Sequence, residues 1–457
     1  MCTCYIQKTD ESVAALGYNR DQTTVLYAMA LSDSRRQLIR ELSDRIVAAQ
    51  NPIRILDAIK WGDDVQRAFF ASGGRSQPPV DSDYYKRIPL NYDSEELRSV
   101  FQDIERDVVK RLGKFNAAGN IMRRMCAEYV RVLDMLEARG TPEFSEIAQE
   151  LYGRSGDAFH AGGPTLADLG DILDKALKKV DESMFLEKDA KNIPTPQAVT
   201  QLQGWLNQLF DDPNARVRVM ESDGIVADAA AGSDYIKLRK DAMFSLRDLR
   251  VLEAHEGWVH VGTTLNGELQ PVCTFLSKGT PADTVTQEGI AVFVEIISFH
   301  SHPARLRRIA DRIRAIHRVE EGATFVDVYQ LLRSEGRSEE EAYTAAMRVF
   351  RGSTPVGGPF TKDLSYSKGF VLVYNFIRLA VRRGRLDRIP LLFCGKLAIE
   401  DMGTIAQLAD EGLIAPPRYL PPPLQDLNAL TAWMAYSNFL NRLDLFQIDA
   451  DFAHLLA

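Results

Sequence analysis

His255, Glu256 and His260 are the residues of this chain whose types and spacing could do chemistry. In His255-Glu256-Gly257-Trp258-Val259-His260 two imidazoles can hold a zinc ion while the adjacent carboxylate serves as general base to a water on the metal. That is hydrolase chemistry, and most directly that of a metallopeptidase. The spacing is one residue longer than the common H-E-x-x-H. On a regular α-helix an i, i+4 pair lies about 40° apart and an i, i+5 pair about 140° apart, so the imidazoles would diverge. The pattern therefore requires a π-type bulge or an unwound turn between Gly257 and His260, and Gly257 makes that distortion cheaper.

A catalytic zinc site needs a third protein ligand and an open position. His160, His300, His302, His317 and His454 are the other histidines and none is well placed. Glu288, in Thr286-Gln287-Glu288-Gly289-Ile290-Ala291, is the stronger candidate, because a Glu from the next helix facing a His pair is the gluzincin arrangement. Glu295 lies seven residues on, about 20° around the same helix, where it can orient a ligand or be the ligand itself.

The elements that must position these groups read as follows. Helical periodicity covers Arg35 to Ala49, Ser94 to Leu112, Asn116 to Arg139 and Thr165 to Val180, interrupted by loops at Gly73-Gly74 and from Gly153 to Pro164. This defines a mostly helical region over residues 1–190, with a boundary near Pro194 and Pro196. Residues 191–457 then form the catalytic domain. Short β-branched runs at Val217 to Met220, Gly224 to Asp228 and Tyr235 to Leu238 predict two or three antiparallel strands. The histidine helix follows from Ser245, whose side chain can cap it, with Asp248 near its start. Further helices are predicted from Thr284 to the Ser301–Pro303 stretch, over Arg305 to Glu320, Phe325 to Glu335, Ser338 to Phe350 and Gly369 to Val381. The fold class is α+β, a zincin-like, gluzincin-type domain with a small antiparallel sheet and metal-bearing helices behind a helical region.

At 457 residues, 45% hydrophobic and 26% charged, the chain has the composition of a globular protein. A net charge of -8 argues against nucleic acid as the main partner. The basic runs Arg305-Leu306-Arg307-Arg308 and Arg382-Arg383-Gly384-Arg385 read as a solvated helix face or helix end. Five scattered cysteines make no disulfide framework, and Cys2-Thr3-Cys4 reads as a frayed terminus rather than a metal site. With no signal-like h-region in the first thirty residues and no long apolar run, a cytoplasmic protein without membrane contact is expected.

Ala227-Asp228-Ala229-Ala230-Ala231-Gly232, the His255 to Thr263 run, Thr286 to Ala291, Arg348-Val349-Phe350-Arg351-Gly352, Phe360-Thr361-Lys362-Asp363 and Tyr366-Ser367-Lys368-Gly369-Phe370 resemble the tyrosine carboxypeptidase family. That family includes the microtubule-associated tubulin detyrosinases, and the likeness is greatest to its bacterial branch, labelled flavohemoglobin expression-modulating QEGLA motif proteins. Ile290 stands where the name-giving motif has Leu. The resemblance implies zinc ligation by His255, His260 and Glu288 with Glu256 as base, and hydrolysis of a C-terminal peptide bond by a zinc-activated water. The substrate would be a peptide or protein C-terminus, without tubulin as partner in the bacterial branch. An exopeptidase must also hold the terminal carboxylate, for which Arg351 is the first candidate and Lys368 the second; Tyr366 or Tyr374 would donate to the tetrahedral intermediate. Trp258 reads as core packing. The rival reading is a regulatory binding protein with a structural or sensory metal site.

Overall fold

The computed structural model describes residues 33–180, 189–211, 217–223, 225, 227–452 and 454. Cys2 and Cys4, and two residues of the run predicted over 224–228, lie outside them. Among the described residues helices dominate, with two small sheets. Four helices of the first half, α1 (Asp33–Gln50), α2 (Ser94–Leu112), α3 (Ala117–Glu137) and α4 (Pro142–Tyr152), bury their apolar stripes in one cluster with residues from Ala254 to Met434. Helix α5 (Leu166–Leu177) follows, capped by Thr165 and Asp168. Among the described residues no helix is long and apolar enough to cross a membrane.

Strand β1 (Ile193–Pro194) leads into α6 (Thr195–Leu209), a helix that sequence reading passed over. Pro194 and Pro196 there mark a helix start, since proline fits the first turn without losing a hydrogen bond. Strands β2 (Arg218–Ser222), β3 (Ala229–Ala231) and β4 (Tyr235–Arg239) form a sheet in the order β2-β4-β3. The sheet is mixed rather than antiparallel: β4 runs antiparallel to β3 but parallel to β2, with Val219 opposite Ile236. A parallel pair needs a crossover, and the chain between β2 and β4 supplies it while forming β3 on the way. Ile236 and Leu238 point from the central strand onto Leu202 and Leu206 of α6. Strand β5 (Met243–Phe244) pairs back with β1.

Ser245 and Asp248 form a capping box, and a continuous helical rod begins there. It is α-helical over α7 (Leu246–Leu252), π-helical over Glu253–Val261, and α-helical again over α8 (Gly262–Glu268). The widened turn that the i, i+5 spacing demands is therefore present. Gly257 allows the π segment to lie against Leu206, where a Cβ would collide.

Helix α9 (Pro281–Ile297) crosses this rod and α13 (Ser365–Arg382) packs on α9; between them in sequence come α10 (Pro303–Glu320), α11 (Phe325–Ser334) and α12 (Glu339–Phe350). Helix α9 starts earlier than predicted because Thr280 and Asp283 make a capping box with Pro281 at the first turn. It also ends earlier, at Ile297, where Phe299 takes a positive φ of 55° and the N–H groups of His300 and Ser301 turn back to Glu295 O. Arg124 of α3 fixes the α9 start: it donates to Asp283 at 3.1 Å and to Asp401 at 2.8 Å, and pairs with Glu128.

The α9–α13 crossing is backbone against backbone. A Cβ on Gly369 would overlap Val285 O, and one on Gly289 would overlap the Gly369 carbonyl. Gly369→Ala should lower stability by about 1–3 kcal/mol or more, because neither helix can yield at a backbone contact. Gly204→Ala, in open space on α6, should be neutral or stabilising by about 0.5–1 kcal/mol. Thermal unfolding of the two variants compares them directly, and equal shifts would contradict the crossing.

Candidate metal centre

Helix α9 presents Glu288 and Glu295 on one face, two turns apart, and the π segment presents His255 and His260 towards it. His255 Nε2 lies 3.3 Å and His260 Nε2 3.6 Å from Glu288 Oε2, and the three ligand atoms lie within 4.8 Å of one another. The imidazoles stand nearly perpendicular at 88°. On tetrahedral zinc, ligands at about 2.0–2.2 Å lie about 3.3–3.5 Å from each other, so the spacing suits such an ion. Glu288 Oε2 is buried with no hydrogen-bond partner, an arrangement that is costly unless a cation occupies the gap. The other oxygen, Oε1, accepts from Lys362 Nζ at 3.1 Å, which fixes the carboxylate so that one oxygen points at the imidazoles.

His255 Nδ1 donates to Glu295 Oε1 at 2.6 Å, and Arg305 donates to both oxygens of that carboxylate, at 2.9 Å and 3.2 Å. Glu295 thus sits behind His255 rather than among the converging ligands, where it sets the ring's tautomer and orientation. Burial alone would pull the His255 imidazole down, but the carboxylates of Glu288 and Glu295 outweigh it and hold it at about 10. Burial opposes ionisation of Glu295, yet Arg305 and His255 bring it to about 2. Glu288 is likewise held well below the usual carboxylate range, its burial outweighed by Lys362 and the two histidines. The site is built to carry a positive charge between its carboxylates.

Glu256 projects to the more open side, as does His260, while His255 is buried. Its Oε2 accepts from Ala231 N of β3 at 3.2 Å, so the sheet edge positions this carboxylate beside the triad.

Of the residues named for substrate, Tyr366 comes to the site: its ring stacks on His255 at 6.0 Å and 21°. Arg351 is buried near Asp363, at 3.9 Å. Lys368 and Tyr374 are directed elsewhere. Two residues past Tyr366, Lys368 is about 160° around α13 and pairs with Asp157 at 3.5 Å. Tyr374 hydrogen-bonds Ser437 of α14 (Leu427–Leu440) and Asn441 just past it. The reading of Arg305 to Arg308 as a solvated face is corrected, since the Arg305 side chain, 13% exposed, turns inward to pair with Glu295. Lys362 escaped assignment because Glu288 is 74 residues away, and Arg305 because Glu295, 10 residues back, lies on a different helix. The runs Arg305 to Arg308 and Phe360 to Asp363 were the available signals.

Trp258, read as core, is buried and packs against His300. Residues 67–442 match the model of the family described as microtubule-associated tyrosine carboxypeptidase. The chain belongs to this family. The match spans both histidines, Glu256, Glu288 and the helices that hold them. No curated protein matches the chain. Membership in the tyrosine carboxypeptidase family carries an expectation of carboxypeptidase-like activity on a peptide or protein.

Zinc analysis of purified variants tests the centre. Wild type should bind one zinc per chain and His260→Ala almost none, while Glu295→Gln should keep the stoichiometry with affinity weakened about 10–100-fold. Unchanged zinc affinity in His260→Ala would contradict the assignment.

Proposed function

We propose that the protein is a zinc-dependent metallocarboxypeptidase of gluzincin type, with a zincin-like catalytic domain in which His255, His260 and Glu288 hold the metal and Glu256 is the general base. The observation that carries this reading is the buried, partnerless Glu288 Oε2 facing two Nε2 atoms, with Glu256 on the open side. When bound, zinc would polarise the scissile carbonyl and acidify the attacking water. Glu256 takes the proton from that water and delivers it to the leaving nitrogen. The Ala231 N–H steadies Glu256 for this exchange. Glu295 and Arg305 keep His255 Nε2 directed at the centre, and Lys362 engages Glu288 Oε1 so that Oε2 faces the imidazoles and would be the oxygen that holds the metal.

Peptide binding follows from the sheet. Strand β4 is central, whereas β3 is an edge strand beside the π segment. A peptide laid along β3 passes the base. From the family description the proposal takes the reaction, removal of a C-terminal residue, and leaves the physiological substrate to experiment.

Glu256→Gln separates chemistry from metal binding. The variant should retain one zinc per chain while hydrolysis of peptides with varied C-termini falls by about 10²–10⁴-fold. Full activity in the variant would overturn the role of Glu256. Failure of the zinc-loaded wild type to cleave any member of such a library would favour a regulatory or sensory metal protein.

A further inference from the structure

Three arginines from two elements converge on Asp363, and two are left short of partners. Arg348 of α12 takes both carboxylate oxygens, at 2.7 Å and 2.8 Å. Arg312 of α10 and Arg351, just past α12, come only to 3.8 Å and 3.9 Å of the same carboxylate. Arg312 Nη1 and Arg351 Nε are sealed from solvent without a hydrogen-bond partner, and Arg351 is only 7% exposed. One carboxylate against three guanidiniums leaves uncompensated positive charge in a buried place, which is costly unless an anion completes it. Burial, with Arg348 beside it, accordingly brings the Arg351 guanidinium down to about 10.

The position of this pair bears on its use. The Arg312 guanidinium lies 4.4 Å above the Tyr366 ring, and that ring stacks 6.0 Å from His255. One aromatic ring therefore separates the Arg312 guanidinium from a candidate metal ligand. An extended residue spans about 3.3–3.6 Å, so the 4.4 Å and 6.0 Å steps across the Tyr366 ring leave room for at most about three residues, not a long segment, between an anion held here and His255. A planar anion with two oxygens matches the fork geometry of guanidinium donors.

We propose that Arg312 and Arg351 together form the subsite for the α-carboxylate of the substrate's last residue, with Asp363 and Arg348 as positioning residues and Tyr366 as the spacer. This rests on the carboxypeptidase reading above. It predicts rejection of blocked C-termini.

The test is calorimetric binding to zinc-loaded Glu256→Gln of two octapeptides of one alanine-rich sequence ending in tyrosine, one with a free carboxylate and one amidated. The free acid is expected to bind at least tenfold more tightly. Adding Arg312→Gln should bring the ratio close to one, Arg312→Lys should restore part of it, and Asp363→Asn should reduce it, with folding verified by circular dichroism. If Arg312→Gln fails to fold, Arg351→Lys and Arg312→Lys are judged by the same ratio. No preference in Glu256→Gln, or a ratio unchanged in folded Arg312 and Arg351 variants, overturns the subsite. A wild type that cleaves acid and amide alike also overturns it while leaving the hydrolase reading intact. Binding preference without cleavage by wild type overturns the hydrolase reading and supports the subsite.

Discussion

His255 is held at both ring nitrogens by one helix, and the rest of the site depends on that grip. Glu288 faces Nε2 at 3.3 Å and Glu295 takes Nδ1 at 2.6 Å, seven residues apart on α9. Seven residues bring a helix back to nearly the same face about 10 Å further along, so a single imidazole lying along α9 can meet both carboxylates. Once the ring is fixed, the widened turn lets His260, five residues on, aim its own Nε2 at Glu288. The energetic cost of the π segment is repaid locally by this convergence and by the packing of Gly257 on Leu206.

The grip is only as accurate as the placement of α9. Its start is tied to α3 through Arg124 and Asp283, and its middle is pinned to α13 where Gly289 and Gly369 meet. Glu288 and Gly289 are neighbours, so ligand and helix contact share one turn. The first-half helices thus contribute directly to the geometry of the centre through the core they share with α9 and α13. Each carboxylate then has its own cation, Lys362 for Glu288 and Arg305 for Glu295. Such pairs hold the two acids ionised in a buried place where they would otherwise take up protons.

What could be read from the sequence was what depends on local spacing. The six residues from His255 to His260 imply their own distortion, Ser245 and Asp248 announce the helix start, and the helices over Ser94 to Leu112 and Phe325 to Ser334 follow from apolar periodicity. What could not be read depends on partners that lie on other elements. Charge density made Arg305 look like a surface residue because Glu295, ten residues back, lies on another helix. The parallel pairing of β2 with β4 leaves no turn signature, since its connection is a crossover. Lys368 and Tyr374 were selected by nearness to a loop, a criterion blind to which face of α13 each occupies.

X-ray absorption at the zinc edge of the zinc-loaded wild-type protein tests the central claim most directly. The account predicts one zinc with two imidazole nitrogens and oxygen donors at about 2.0–2.2 Å and no sulfur shell. A sulfur shell at about 2.3 Å, or a spectrum lacking two imidazoles, would contradict it.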